Sequence, residues 1–387
     1  MKLGKKLVVM LLALTMVLSL AACGGQSTDS QKPAQDTKES AQDTKEPAKD
    51  AAAEKKDAKE PEKEPAKEAA AEKEIVLRRA YAAPHGTKSF GRFAVVMEGD
   101  KFLAAHIEEF QFGDVEGSKF TFVPNSDQTA EGAFATGYAE GKALFSKNVN
   151  ADLYSENMKE KAQATVTLAD NYKAIQDFVV GKTVAEVEKV VAENPTGKPV
   201  DAVTGATLVD TSGYLAGLVE AAKNDKMESK VKTSEDLSQL KLAFIQGAPH
   251  GDKSFSDTVV AVVGDKVVAA NVDEFQFMKD VEGVPNSDKM GEKEFATNYA
   301  EGVVLASKKV NSETYSKNMA EIAKSTVSIA DNFKAIEAFA AGKTVAEIEK
   351  VVSDNPVGKP VDAVTGATLV GTSGYLKEIA EAAKLAK

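Results

Sequence analysis

An internal duplication is the feature of this chain that most limits the folds open to it. Residues 75–225 and 240–387 carry the same short blocks in the same order. The longest of these blocks reads Gly-Lys-Pro-Val-Asp-Ala-Val-Thr-Gly-Ala-Thr-Leu-Val, at 197–209 and again at 358–370. Because a repeated segment has to bury equivalent apolar faces twice, we expect two copies of one domain. The polar residues 226–239 are the expected linker between them.

Each repeat has the pattern of an α+β domain. Runs rich in β-branched residues flank Gly99-Asp100 and Gly264-Asp265, which predicts two β-hairpins. From Ser155 to Val180 apolar residues recur at intervals of three and four, which predicts a helix. Capping-box sequences at Thr183 and Thr344 then begin a further helix in each repeat. We therefore expect each domain to be an antiparallel sheet packed with helices.

The N-terminus predicts export and lipid attachment. A lysine-rich start is followed by an apolar run, Leu7 to Leu20, that is shorter than the roughly 20 residues a membrane-spanning helix needs. We therefore predict a signal peptide over residues 1–22. Its end, Leu-Ala-Ala-Cys-Gly with the cysteine at Cys23, resembles a bacterial lipobox. That resemblance implies diacylated (palmitate-type) Cys23, anchored on the outer face of a Gram-positive cell membrane; an ordinary signal peptide with a free thiol is the alternative.

Residues 23–74 form a spacer rich in Lys, Glu, Ala and Pro. No aromatic residue occurs in this stretch, and short units such as Gln-Asp-Thr-Lys-Glu recur. Such a composition cannot bury enough apolar surface to offset the entropy lost on ordering. We predict a disordered segment that holds the folded part away from the membrane.

Composition excludes several classes of function. A formal net charge of −11 disfavours a nucleic-acid-binding protein. A single cysteine excludes an intrachain disulfide, cysteine-ligated clusters and c-type haem attachment. The three histidines are scattered at His85, His106 and His250, so we predict no metal site. No matched nucleophile and base indicate a hydrolase. Any redox chemistry would therefore use an organic cofactor.

The block with the most chemical content runs from Asp201 to Thr207 and recurs unchanged from Asp362 to Thr368. Its glycine permits a left-handed turn, and the small alanine beside it leaves the following threonine hydroxyl open. Thr211-Ser212 lies at the expected start of the next helix, where free N–H groups favour a phosphate. This arrangement suits a phosphate ester on threonine. A turn followed by a helix cap is the structural alternative, and the residues alone leave both open.

The block resembles the flavinylation motif of bacterial FMN-binding domains, Asp-x-x-Ser/Thr-Gly-Ala-Thr. The resemblance implies FMN covalently esterified to Thr207 and Thr368 by a magnesium-dependent flavin transferase that uses FAD and acts outside the membrane. Thr204 and Thr365 are rival hydroxyls within the same loops. The other motif residues, expected around the cofactor, are Asp201, Thr204, Gly205, Ala206, Asp362, Thr365, Gly366 and Ala367.

Lipobox, spacer and shared blocks together resemble the PplA-type flavinylated lipoproteins of Gram-positive bacteria. The resemblance covers nearly the whole chain apart from the spacer. It implies an extracytoplasmic electron carrier that takes electrons from a membrane quinone and NADH dehydrogenase system. The acceptor would be ferric iron or another extracellular compound, and the chain would not be an enzyme with a substrate of its own. The alternatives are a non-redox surface lipoprotein that binds haem or a peptide, and a structural protein of the cell wall.

Four further residues are candidates for contact with the cofactor. His85 and His250 occupy matching Ala-Pro-His-Gly turns, either beside the flavin or bonded to the turn backbone. Tyr214 and Tyr375 follow the motif closely and are candidates to touch the flavin ring. His106 has no counterpart in the second repeat, where Asn271 takes its place.

Overall fold

The computed structural model describes residues 71–386, which belong to one compact unit. The predicted signal peptide, Cys23 and nearly all of the predicted spacer lie outside these residues. Within the described part of the chain, no helix has both the length and the apolar character needed to cross a membrane.

The fold is α+β, as predicted, and the same order of elements occurs in both repeats. The first repeat forms β1 (Lys73–Ala82), β2 (Ser89–Glu98), β3 (Lys101–Asp114), β4 (Lys142–Ser146), α1 (Ala151–Ala162), α2 (Leu168–Val179), α3 (Val184–Glu193) and α4 (Thr211–Lys223). After β5 (Glu228–Thr233), the second repeat forms β6 (Lys241–Gly247), β7 (Phe255–Val263), β8 (Lys266–Met278), β9 (Val304–Ser307), α5 (Ser312–Ala323), α6 (Ile329–Ala340), α7 (Val345–Asp354) and α8 (Thr372–Leu385).

The strands form two antiparallel sheets, with orders β4-β3-β2-β1-β5 and β6-β7-β8-β9. The predicted hairpins are present, and Gly99 and Gly264 take positive φ values of 61° and 63° at their turns. Residues 226–239, expected as a linker, contain β5, which pairs antiparallel with β1. Part of the expected linker is therefore a strand of the first sheet.

The helix predicted from Ser155 to Val180 is two helices in the structure. Gln163 takes a left-handed conformation (φ 55°) and ends α1. The Thr167 side chain then accepts a hydrogen bond from the Asp170 backbone N–H and caps α2. The apolar periodicity continues across this break because Tyr154 and Met158 of α1 pack against the same core as α2. Periodicity alone therefore could not show the interruption.

The two sheets pack face to face, with helices on their outer sides. Along β2, Phe93 and Val95 face the helices, whereas Ala94 and Val96 face the second sheet. On the other side of the fold, α8 packs on β6 and β7. The strands read as continuous apolar runs because both of their faces are buried. The result is a four-layer arrangement of helices, sheet, sheet and helices.

Reciprocal contacts join the two repeats. The Asn125 side chain donates to the backbone oxygens of Gly251 and Ser254, at 2.6 and 2.7 Å. In the second repeat, Asn286 donates in the same way to Gly86 (2.9 Å) and Ser89 (2.7 Å). Each repeat therefore holds the Pro-His-Gly turn region of the other, as the two sides of a twofold interface do.

An aromatic cluster fills the space between these contacts. Phe90 stacks on Phe110 in the first repeat, and Phe255 stacks on Phe275 in the second, with ring centroids 5.0 Å apart in each pair. All four rings are fully buried and belong to one core that both repeats share. Aromatic pairs in such geometry contribute about 0.5–1.5 kcal/mol beyond their buried area.

A buried charge cluster lies between the sheets. Asp257 accepts from Arg92 (Nε to Oδ2, 2.9 Å) and from Arg79 (Nη1 to Oδ2, 3.0 Å), and all three side chains have no exposed surface. Arg92 and Asp257 occupy the same position in their repeats, after Ser-Phe-Gly and Ser-Phe-Ser. The duplicated sequence therefore places opposite charges at equivalent positions, and these meet at the interface.

The Asp257→Asn variant tests this cluster. Removal of its negative charge leaves two buried guanidinium groups without a carboxylate partner, and we expect the free energy of unfolding to fall by about 3–5 kcal/mol. Chemical denaturation monitored by circular dichroism measures the change.

The matched control is Asp177→Asn, in the exposed Lys173–Asp177 pair. That substitution should alter the free energy of unfolding by no more than about 0.5 kcal/mol. A loss below about 1 kcal/mol for Asp257→Asn would show that the cluster does not stabilise the interface.

Candidate functional site

The two copies of the motif form loops before α4 and α8. Val203 and Ala206 are buried in the core of the first repeat, and they hold the loop against the helices. Between and after them, Thr204, Gly205 and Thr207 are exposed. The second loop has the same pattern of buried and exposed positions from Asp362 to Thr368. Two buried apolar anchors thus present the polar motif residues to solvent.

A buried asparagine holds the last threonine of each motif. The Asn171 side-chain oxygen accepts from the backbone N–H groups of Thr207 (2.7 Å) and Leu208 (3.2 Å). In the second repeat, Asn332 accepts from Thr368 N–H at 2.6 Å. The threonine hydroxyls lie 3.4 and 3.3 Å from the same oxygens, which is long for a hydrogen bond. Each backbone is fixed while its hydroxyl keeps the freedom to react.

The asparagines were not identified from the sequence. Asn171 is itself fixed, since its amide donates to the Thr167 backbone oxygen at 2.8 Å, and Asn332 donates to Ser328 in the same way. Both lie in an Ala-Asp-Asn triplet, at 169–171 and 330–332. The triplet is therefore visible when the two repeats are aligned. Nothing in the sequence, however, indicates that its asparagine contacts a loop 36 residues away.

The motif glycine is required by the backbone. Gly205 has φ +94° and Gly366 has φ +93°, values that residues with a side chain rarely adopt. The turn they make separates the two threonines of each loop. Thr204 and Thr365 are as open to solvent as Thr207 and Thr368, so exposure alone does not distinguish them. The hydrogen bond to the buried asparagine distinguishes them, because it is made by Thr207 and Thr368.

The helix after the motif begins at Thr211, as expected, and the two hydroxyl groups at its start are buried. Thr211 is fully buried and its hydroxyl donates to the Leu208 backbone oxygen at 2.6 Å. Ser212 is buried as well. At the N-cap of this helix, the Asp210 carboxylate lies 2.7 Å from Nδ1 of His85. His85 thus contacts a carboxylate rather than the turn backbone.

A charged network lies behind the first loop. Glu109, from the Glu-Phe-Gln-Phe block, is fully buried and accepts from Tyr172 (2.8 Å), Tyr214 (2.9 Å) and Ser89. Its Oε2 also lies 2.8 Å from the ammonium of Lys147. Burial alone raises the pKa of the Glu109 carboxyl, but Lys147 overrides this effect and holds the pKa below its usual value. The network joins α2 and α4 to the sheet.

The second repeat has the same ion pair with different neighbours. Glu274 pairs with Lys308, and its Oε2 lies 3.4 Å from Nδ1 of His250. Burial opposes ionisation of this carboxyl, yet Lys308 and His250 together hold its pKa far below the usual range. Phe333 occupies the position of Tyr172 and supplies no hydroxyl.

Tyr214 and Tyr375 are 2% and 0% exposed, in the cores between helices and sheets. They therefore have no open ring face beside the motif loops. In the first repeat, Tyr214 instead contributes its hydroxyl to the Glu109 network.

A second buried carboxyl distinguishes the repeats further. Glu378 on α8 is 6% exposed and accepts from Ser256 (2.6 Å) and Thr258 (3.1 Å). Burial raises its pKa to about 8, because these hydroxyls offset only part of the cost of burying a charge. The first repeat has Gly217 at this position, packed so closely on Phe93 that a Cβ would lie 2.4 Å from the ring. The loops are identical, but the interiors behind them are not.

Two cavities lie between the repeats, with volumes of about 700 and 460 Å³. No motif residue lines either of them. Among residues 71–386, no group of three or more His, Cys, Asp or Glu side chains is placed to hold a metal ion. The exposed residues of the motif loops therefore lie outside both of these cavities.

No known protein family matches this chain, and no curated protein or solved structure does. The interpretation of the site consequently depends on its own geometry and on the sequence motif.

The Glu378→Gln variant tests the buried carboxyl. The pKa of Glu378 is raised from 4.5 to about 8 by folding, so its stabilising contribution is complete below pH 4.5 and is lost as pH rises towards 8. The parent should therefore lose up to about 1.4 kcal/mol of unfolding free energy per pH unit in this window, relative to the variant. Urea denaturation at four pH values between 5 and 8 measures the difference.

Glu349→Gln, in an exposed pair with Lys384 of α8, is the control. Its free energy of unfolding should change with pH in the same way as that of the parent. If the free energy of unfolding of Glu378→Gln also had the same pH dependence as that of the parent, then the pKa of Glu378 would not be raised in the folded protein.

Proposed function

We propose that this chain is an extracytoplasmic electron carrier with FMN esterified to Thr207 and Thr368. The observation that carries the proposal is the matched pair of loops. Each presents a solvent-exposed threonine whose backbone is fixed by a buried asparagine. Both loops also match the flavinylation motif at every defined position.

The geometry suits group transfer onto the hydroxyl. The Thr207 oxygen attacks the FMN phosphorus of FAD, a new P–O bond forms, the pyrophosphate bond breaks and AMP leaves with the displaced oxygen. The hydroxyl proton passes to a base that the transferase supplies. Asn171 keeps the backbone of Thr207 in place during this step, which reduces the entropy lost on reaching the reactive geometry.

An exposed loop is also what a separate modifying enzyme requires, because it has to enclose the threonine in its own active site. Val203 and Ala206 keep the loop ordered while it is accessible. Once bound, the flavin would accept and donate electrons, and the domain would retain and orient it. Covalent attachment prevents loss of the cofactor by diffusion outside the cell.

The proposed partners follow from the resemblance. They are an FAD-dependent, magnesium-dependent flavin transferase, a membrane quinone and NADH dehydrogenase system as donor, and ferric iron or another extracellular acceptor. The proposed anchor is diacylated Cys23, which lies outside the described residues.

Substitution of the threonines tests attachment directly. A secreted form with Cys23→Ser, coexpressed with a flavin transferase, should gain two FMN adducts. Thr207→Ala and Thr368→Ala should each retain one adduct, and the double variant none, because each loop has one threonine whose backbone the buried asparagine holds. Intact-mass spectrometry after denaturation counts the adducts, and peptide mapping locates them.

Thr204→Ala and Thr365→Ala are the matched controls, since both hydroxyls are exposed in the same loops. They should retain two adducts. Parent protein without adducts would refute the proposed function, and adducts on the double variant would move the attachment to other residues. A haem spectrum in the parent would favour the ligand-binding alternative.

Asn171→Ala tests the positioning role of the buried asparagine. Without its side-chain oxygen, Thr207 loses the hydrogen bond that fixes its backbone, and the rate of flavin attachment at Thr207 should fall at least about tenfold. Attachment at Thr368 in the same molecule is the internal control and should be unchanged. A time course of the two modified peptides measures both rates, and equal rates would exclude the role.

A further inference from the structure

The smaller cavity between the repeats has the composition of a ligand site. Its volume is about 460 Å³, within the range of pockets that hold small molecules. Apolar side chains from both repeats form its walls, among them Phe122 and Val149 from the first and Phe244, Ile245 and Leu385 from the second. Val149 and Leu385 are 50% and 64% exposed at this cavity. Solvated apolar surface of this kind favours occupation by an apolar molecule.

The charge of the lining distinguishes this cavity from its counterpart. No Asp, Glu, Lys or Arg side chain lines the smaller cavity within the described residues. The larger one lies at the equivalent place on the other side of the interface, with Val310 where the smaller has Val149. It is lined by charged side chains such as Lys226, Lys309 and Glu282. A ligand of the smaller cavity should therefore carry no net charge.

His106 supplies a polar group of defined character. Its Nδ1 lies 2.9 Å from Nη1 of Arg92. Because arginine can only donate, Nδ1 accepts, and the neutral imidazole carries its proton on Nε2. Burial, together with the charge of Arg92, holds the pKa of His106 well below its usual value, so the ring stays neutral. The second repeat has Asn271 here, which donates to Met227 and Ser229.

The aromatic walls indicate the shape of the ligand. The Phe244 ring centroid lies 4.7 Å from that of His106, and Phe122 contributes a second ring to the lining. Aromatic side chains prefer to pack against flat rings in offset or edge contacts. No described residue accepts a hydrogen bond from Nε2 of His106, which leaves this donor for an acceptor on a ligand, and a carbonyl oxygen is an uncharged acceptor.

We propose that this cavity binds an uncharged, planar aromatic compound with a carbonyl oxygen. The ring system packs between the aromatic side chains, and the carbonyl oxygen accepts from Nε2–H of His106. Binding requires no flavin on either motif threonine, so this proposal and the proposed function fail separately.

Direct binding to the full, unflavinylated chain tests the proposal. The probe is 2-acetylnaphthalene, and equilibrium dialysis measures its dissociation constant. Two matched compounds isolate the chemistry: 2-naphthoate has the same shape with a negative charge, and 2-ethylnaphthalene lacks the carbonyl. We expect both to bind at least about tenfold more weakly, because neither offers an uncharged acceptor to His106.

Variants at the two cavity rims locate the site. Val149→Arg places a cation at the smaller cavity and should weaken 2-acetylnaphthalene binding at least about tenfold. Val310→Arg places one at the larger cavity, at a position that is 42% exposed, and should leave the affinity within about twofold. Thermal unfolding confirms that both variants fold, and Leu385→Arg replaces Val149→Arg if that variant is unstable.

Three results would overturn the proposal. The first is the absence of saturable binding of 2-acetylnaphthalene. The second is an equal affinity for 2-naphthoate, which would show that charge does not matter. The third is an equal loss of affinity in the variants of both rims, which would place the site elsewhere.

Discussion

The pairing of Asp257 with Arg79 and Arg92 is the interaction on which the arrangement of the repeats depends. These side chains are fully buried between the sheets, where an unpaired charge costs several kcal/mol. Arg92 and Asp257 hold equivalent positions in the duplicated sequence. Two identical copies in this geometry would oppose two guanidinium groups or two carboxylates. Charge is neutralised only when one repeat supplies an arginine and the other an aspartate. The divergence of the two repeats at this position therefore favours their packing together as one compact unit.

Further contacts between the two repeats surround this cluster. The shared phenylalanine core and the reciprocal Asn125 and Asn286 hydrogen bonds fix the ends of the strands. Helices cover the outer face of each sheet and bring α2 and α6 against the motif loops. There the buried side chains of Asn171 and Asn332 accept hydrogen bonds from the backbone of one threonine in each loop and hold it in place. The position of each motif threonine thus depends on one buried asparagine as well as on the buried apolar residues of its loop.

The two repeats keep identical loops over different interiors. The first has a carboxylate with a full set of donors around Glu109, whereas the second adds Glu378, whose raised pKa reflects burial without a cation. Similarly, one inter-repeat cavity is charged and the other has apolar walls with the neutral His106. Divergence has therefore left the motif loops unchanged and has altered the environment behind them.

The sequence by itself determined the duplication, the α+β class, the hairpins and the motif loops, because hydrophobic period, turn glycines and capping boxes act over a few residues. Tertiary structure decided the rest. It placed a strand, Glu228–Thr233, within the expected linker, divided the helix predicted from Ser155 to Val180, and buried Thr211. It also brought Asn171 to a threonine 36 residues away and Arg92 to Asp257. Such contacts depend on how the elements pack, and a local pattern contains no information about a partner that is distant along the chain.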